Sequence, residues 1–444
     1  MPARIKTECV NSKPLGEHIH FRNGKIALNR LAKAPMSEKL YDWNGGDEKT
    51  RGVPNTAIVN IYEKWGFGGW GTIFTGNLIV DPKYTGEAGQ GIVAKENDSP
   101  IMREWYAKMS RAMKVNYALA IAQLNHLGAG ALLSYTDADG NKHELADKIE
   151  NPLEFSKRQI QKDIIHRFVY ASKLLSNCGF DGICIHAAFG MLLCQFLSPN
   201  NPRDDEYGGT LRNRARIIVD IYNAIRDEIP APSGFLIGLK LNSADFQNNF
   251  SDDDVVELCS IFDKVGIDFI EITGGAMESV INEAQENRRA TSIARQSYFL
   301  EFVELVKKSL KYTRVYITGG WQTTEKMVSA INMNITDGIG LARASAAEPS
   351  LARKLLTGIV HSTLDNKFPP DDFMTSKQAA HHQIWCMSRH CIENSDQDNE
   401  ITDFTDEREA EHFKKHAQKY MEYLKRQGKP DSVANVIDYK SFQN

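Results

Sequence analysis

The 444-residue chain, 42% hydrophobic and 25% charged, has the make-up of a globular protein with a sizeable core. It is long enough for one large domain plus an extension, or for two to three ordinary domains. Its net charge of −4 argues against a duplex nucleic-acid binder, which needs a concentrated basic surface, and no apolar run is long enough to span a membrane. The N-terminal MPARIKTECVNSKPLGEHIHFRNG lacks the apolar core of a secretory signal, so a cytoplasmic protein is expected. Cys9, Cys178, Cys184, Cys194, Cys259, Cys386 and Cys391 are scattered without a CxxC pair and read as reduced thiols.

In chain order, eight β-rich runs end in small or polar residues. They are RLAKAPMS near 30–37, GTIFTGNLIV near 71–80, YALAIAQLN near 117–125, DGICIH at 181–186, FLIGLKLN at 235–242, DFIEIT at 268–273, RVYITGG at 314–320 and DGIGLA at 337–342. Their near-continuous apolar character fits strands buried on both faces of a parallel sheet. Amphipathic segments lie between them. Ser156 and Gln159 predict a capping box before QIQKDIIHRFVYASKLL, while Thr210, Ser251 and Thr323 are placed to cap the helices that follow them. Alternation of this kind predicts a (β/α)8 TIM barrel over residues 1–360. An open doubly wound sheet is the alternative, and the first βα turn, PMSEKLYDWNGG, contains no GxGxxG to support it.

From about 361 the pattern changes to a mostly helical C-terminal extension, 361–444, expected to pack on the barrel or to form a subunit contact. His382, Cys386 and His390 share one helical face there. A packed helix seam is favoured over a metal site, because structural metals draw four ligands from two segments.

Barrel chemistry collects where the strands end. Those ends carry Pro35, Met36, Ser37, Gly76, Asn77, Gln123, His186, Lys240, Gly319, Gly320, Gly340, Leu341, Ala342 and Arg343. Glycine turns after the last two strands, with an arginine, suit a phosphate. Gln123 offers an amide edge to a pyrimidine-like ring, and Lys240 a positive charge beside it. The set reads as an FMN site.

NRLAKAPMSE, GGWGTIFTGNLIVD, AQLNHLGAG, GFDGICIHAAFGMLLCQFLSP, DEYGGTLRNRAR, GLKLNSADF, VYITGG and DGIGLARASAAEPSLARKLL, in this order, make the chain resemble the old yellow enzyme family, most closely its NADH oxidase-like branch, from about Pro14 to Gly358. The resemblance implies an FMN-dependent enzyme that oxidises NADH or NADPH. It puts Pro35–Ser37 and Gly76 against the flavin ring, Gln123 on its pyrimidine edge, Lys240 beside N1, and Gly319, Gly320, Gly340, Ala342 and Arg343 around the phosphate. Asp205, Arg212, Asn213 and Arg214 are expected to knit the loop after the fourth strand.

One stretch departs from the family pattern. Typical members end the fourth strand His-x-x-(Asn or His)-Gly-Tyr, the first two side chains binding a carbonyl and the tyrosine donating a proton. Here His186 remains, Phe189 replaces the second ligand and Met191 replaces the donor. Losing one carbonyl donor costs about 10²–10³ in rate, and losing a general acid a further ~10²–10⁴. The expectation is an intact hydride acceptor with an atypical acceptor site lined by His186, Phe189, Met191 and His126, working on a small-molecule activated alkene, quinone or oxygen. His126 reads as structural or solvent-facing rather than as a replacement acid, and Tyr62, Tyr106 and Tyr135 give no assignable donor. The competing reading is an FMN-binding sensor or scaffold without dedicated turnover. Neither nucleic acid, membrane nor metal is expected as a partner, and a homo-oligomer is left open.

Overall fold

The computed structural model describes residues 2–43, 49–131, 134–136, 142–144, 151–247, 250–274, 290–368, 372–391 and 401–426. Eight parallel strands form the closed barrel: β1 Leu31–Lys33, β2 Thr72–Ile79, β3 Leu119–Asn125, β4 Gly182–His186, β5 Leu236–Asn242, β6 Phe269–Thr273, β7 Arg314–Thr318 and β8 Gly338–Leu341. Each pairs with its sequence neighbours, and β8 pairs with β1 to complete the ring. This is the (β/α)8 barrel expected from the alternating pattern. A short strand, Gly91–Ile92, adds to the upper end of β2.

The outer helices are α1 Thr56–Gly66, α2 Pro100–Met113, α3 His166–Asn177, α4 Leu211–Glu228, α5 Asp252–Val265, α6 Ala290–Ser309, α7 Thr324–Asn332 and α8 Leu351–Leu356. Their caps follow the sequence signals. The Ser156–Gln159 box is made, Thr210 accepts from the Asn213 N–H, and Thr323 accepts from the Lys326 N–H. Ser251 and Asp254 form a second capping box ahead of α5. Between the first box and α3, Ile160–Ile165 forms a π-helical turn, which the 3.6-residue period did not signal.

Two C-terminal helices follow, α9 Phe373–Ser388 and α10 Glu407–Arg426. α9 packs on α1, where the Asn60 side chain donates to the Ser388 carbonyl at 2.9 Å. α9 and α10 meet over Ala379, Phe404, Ala410 and Phe413. His382 and Cys386 lie in this seam, with His382 Nε2 2.9 Å from Thr402 Oγ1 and 3.4 Å from Cys386 Sγ. His390, expected on the same face, lies beyond the helix end at Ser388 and is exposed.

Strand alternation divides the barrel interior into layers. The lower layer contains Ala32, Phe74, Ile121, Cys184, Leu236, Phe269 and Tyr316, stoppered from below by Ile19 and Phe21. Further along the strands, two residues on from Ile121, Cys184, Phe269 and Tyr316 and four on from Leu236, the inward positions build the site.

Candidate functional site

One step above the aromatic layer the inward positions turn polar. They are Gln123 on β3, His186 on β4, Lys240 on β5, Glu271 on β6, Thr318 on β7 and Gly340 on β8. Register pairs His186 with Lys240, Lys240 with Glu271, and Thr318 with Gly340. On β2 the pairing shifts, with Phe74 opposite Ile121 but Asn77 opposite Gln123. This bulge inserts one residue and re-aims the strand end, as bulges beside sites commonly do. The Asn77 side chain consequently lies beside Gln123, whose Nε2 donates to Asn77 Oδ1 at 2.6 Å.

Several atoms of this layer are buried without a hydrogen-bond partner among the described residues: Gln123 Oε1, His186 Nδ1 and Thr318 Oγ1. Leaving a buried polar atom unpaired costs about 1–3 kcal/mol, so a site lined with them is shaped for a polar ligand. At Gly340 an added Cβ would collide with Thr318 Oγ1, and Gly320 holds φ +60° after β7. The donor and acceptor set therefore fits a flavin: an amide at Gln123, a cation at Lys240, a hydroxyl at Thr318, and glycines with Arg343 where the last two strands end. FMN would be held by these residues. Gly319 and Gly320 follow β7, while Ala342 immediately precedes the short helix Arg343–Ala347. The Arg343 Nη1 donates to Ser376 Oγ of α9 at 2.5 Å, so the C-terminal extension reaches this corner.

Pro35, Met36 and Ser37 lie half-buried in the loop after β1. A Cβ on Gly76 would strike the Glu38 carboxylate and the Met36 carbonyl, so within the protein glycine is required here by Glu38. The Gly76 N–H donates to Glu38 Oε1 at 2.7 Å, and Tyr62 OH donates to the same oxygen. Behind this loop Lys33 is fully buried, donating to the Phe74 carbonyl at 2.9 Å with its ammonium 4.2 Å from the Trp65 ring. Burial lowers Lys33 to about 8, against the opposing pull of Glu38. Burial raises the Glu38 carboxyl, against the Lys33 charge and the hydrogen bonds from Tyr62 and Gly76. Tyr62 is committed to Glu38, and the buried Tyr106 hydroxyl donates to the Ile92 carbonyl at 3.2 Å. Tyr135 lies outside the residues whose side chains are described.

His186 and His126 are both buried and both held at about 3, chiefly by desolvation, with Lys240 adding for His186 and Arg167 for His126. Each is neutral at working pH and can donate or accept a hydrogen bond without being an imidazolium acid. His126 Nδ1 accepts from the Gly128 N–H at 3.0 Å, which leaves the proton on Nε2, and its ring stacks 4.4 Å from Tyr84.

Phe189 is at the mouth. It is 50% exposed, its ring centroid is 5.9 Å from that of His186, and the Lys240 ammonium lies 5.8 Å from the same ring. Its φ is +57°, a left-handed conformation uncommon for a bulky residue, followed by Gly190 at +66°. The Asp245 carboxylate holds this turn by accepting from the Phe189 N–H at 2.7 Å. Met191 turns elsewhere, packing against the apolar cluster of Ile79, Ile92, Ala94 and Leu127. The loop beyond is tied by Arg203, which grips Asp205 at 2.5 and 3.0 Å and the Leu153 and Phe155 carbonyls, and by Arg214 to the Leu197 carbonyl. Asn213 accepts from Arg216, whereas Arg212 lines a groove of about 610 Å³ between α4 and α5, on the outer wall of the barrel.

Glu271 and Thr318 join the layer beyond the residues chosen from the strand ends. The signal for Glu271 is a lone acid at an inward parity of the apolar run FIEIT, and for Thr318 the last inward residue before the double glycine.

A family model described as the NADH:flavin oxidoreductase / NADH oxidase family matches residues 17–361. The NADH-dependent flavin oxidoreductase nadA of Aspergillus parasiticus is 33% identical over 362 residues, covering 79% of this chain and 80% of that protein. The NADH-dependent flavin oxidoreductase iliE of Hypocrea jecorina is 31% identical over 365 residues, covering 76% and 88%. Among solved structures, morphinone reductase in complex with tetrahydroNAD aligns with a TM-score of 0.60 at 17% identity over 80% of this chain and 93% of that one. A 2-naphthoyl-CoA reductase complex aligns at 0.66 and 18% identity over 88% of this chain, which spans 58% of that larger one. At these identities the two structures speak for the fold alone. Among the described residues no helix is long and apolar enough to cross a membrane.

Proposed function

The chain belongs to the NADH:flavin oxidoreductase / NADH oxidase family and is an FMN-dependent NAD(P)H oxidoreductase, and from that premise we propose that its acceptor is not the simple enone of typical old yellow enzymes. FMN, when bound, would supply the hydride-transfer chemistry between NAD(P)H and an acceptor. Everything else falls to the protein.

Gln123 would offer one acceptor and Thr318 one hydroxyl to a bound flavin, and Lys240 a charge. The neutral His186 supplies one hydrogen bond to the acceptor. The observation that carries the proposal is the Phe189 ring, which stands in front of both His186 and Lys240 and offers no donor. Met191 has no acidic proton and packs into an apolar cluster. From positions 189 and 191 a carbonyl would therefore meet no second donor, and a carbanion no acid. The apolar mouth suits a quinone-like acceptor, or oxygen, whose reduction needs no protonation at carbon.

The test is anaerobic. The purified yellow protein is mixed with NADH and with NADPH, and the bleached protein is then reoxidised with enones, quinones and oxygen. Bleaching followed by faster reoxidation with quinone or oxygen than with cyclohexenone is expected. Rapid turnover of cyclohexenone would overturn the acceptor assignment.

A further inference from the structure

We propose that Glu271 is a positioning and charge-balancing residue that lowers the reduction potential of the bound flavin by neutralising Lys240. This rests on the FMN reading of the site and deepens it.

Lys240 and Glu271 are directly paired across β5 and β6, share the inward parity, and bring Nζ to 2.7 Å from Oε2. Both side chains are almost wholly buried, at 6% and 1% exposure. Among the described residues no hydrogen bond of good geometry reaches either oxygen of Glu271, and the Lys240 ammonium lies against the carboxylate to balance it. A buried carboxylate is tolerated only beside such a counter-charge.

The consequence is electrostatic. A lone lysine beside the ring would stabilise the negative charge that accumulates there on reduction, and raise the potential. A lysine with a carboxylate in contact presents a dipole instead, and in a buried site that difference is weakly screened. The reduced cofactor is then less stabilised and is a stronger hydride donor. That suits a mouth where Phe189 and Met191 give the acceptor little help: driving force replaces some of the missing activation. Glu271 does not touch the acceptor and is not a catalytic residue.

A purely structural role for Glu271 makes the opposite prediction. If it only held Lys240 in place, its loss would let the ammonium drift and the potential would fall. Midpoint potentials of the FMN-loaded wild type, Glu271→Gln, Glu271→Asp, Lys240→Met and the Lys240→Met/Glu271→Gln double variant separate these. Glu271→Gln should shift the two-electron reduction equilibrium about tenfold toward reduced flavin, roughly 30 mV upward. Glu271→Asp should stay near wild type, and Lys240→Met should fall. The double variant should rise from Lys240→Met back toward wild type. An unchanged or lowered potential in Glu271→Gln overturns the proposal. So does a double variant indistinguishable from Lys240→Met, a comparison that serves if the single Gln variant fails to fold. A wild-type protein that takes up no FMN would instead overturn the functional reading itself.

Discussion

Two layers of the barrel interior, built by the same strands at the same parity, differ in almost every chemical respect. The lower is an aromatic plug. Phe74, Phe269 and Tyr316 meet edge to face at 5.7–5.9 Å, and Gly238 and Gly338 leave the room that the Phe269 and Tyr316 rings need. Its polar atoms are paired among themselves, Thr72 Oγ1 lying 3.1 Å from Tyr316 OH. The upper layer keeps Gln123 Oε1, His186 Nδ1 and Thr318 Oγ1 buried and unpaired. A plug needs no ligand to be complete, whereas an unpaired layer lowers its free energy by binding one. Folding and chemistry are thus separated along the strands by two to four residues.

The sharpest way to break this division is Phe269→Ala in the lower layer. Removing a buried aromatic should cost about 3–5 kcal/mol of stability, read by thermal or urea unfolding. Flavin content per folded molecule should hardly change. A variant that stays stable but loses its flavin would erase the distinction between the layers.

The upper layer is tested next. Phe189→Asn with Met191→Tyr adds a carbonyl donor and a phenolic acid, and cyclohexenone reduction should rise about tenfold or more, discounted from the ~10²–10⁴ that a well-placed acid is worth. Asn also tolerates the +57° φ that Phe189 occupies, so stability should hold. Flavin reduction by NAD(P)H is the control. Because Met191 packs toward Ile79 and Leu127, a gain from Phe189→Asn alone and none from adding Tyr would show that position 191 does not face the acceptor.

The smallest effect lies outside both layers. His381 of α9 is held at about 3, mainly by burial, with Lys39 adding. The unfolded chain takes up this proton first, near 6.5, so the stabilisation is complete above that pH and is lost progressively as pH falls toward 3. At pH 5 the loss is bounded by about 2 kcal/mol, and ~1 kcal/mol is a realistic share. His381→Gln should lose less melting temperature than wild type between pH 7.5 and 5.0. An equal loss would mean that His381 is protonated in the fold.

Much of the architecture is legible in the sequence. Strand positions fell out of apolar runs with small or polar ends, and the caps at Ser156, Thr210, Ser251 and Thr323 followed from local hydrogen-bonding chemistry that acts within four residues. Most strand-end candidates do gather at one end of the barrel. The π-turn at Ile160–Ile165 was not legible, since one extra residue per turn leaves no mark in a short amphipathic segment. Nor was the fate of Met191, because a loop side chain chooses its direction from its neighbours rather than from periodicity.

The sequence by itself determined the alternation of buried strands and capped helices, and with it the barrel and the residues available at its upper end, because hydrophobic period and capping are local properties. Tertiary structure alone decided which of those residues face one another. The one-residue bulge in β2 brings Asn77 to Gln123, the register of β5 on β6 sets Lys240 against Glu271, and the left-handed turn held by Asp245 swings Phe189 across His186. Register and turn geometry join residues tens of positions apart, and closing the barrel is what fixes them.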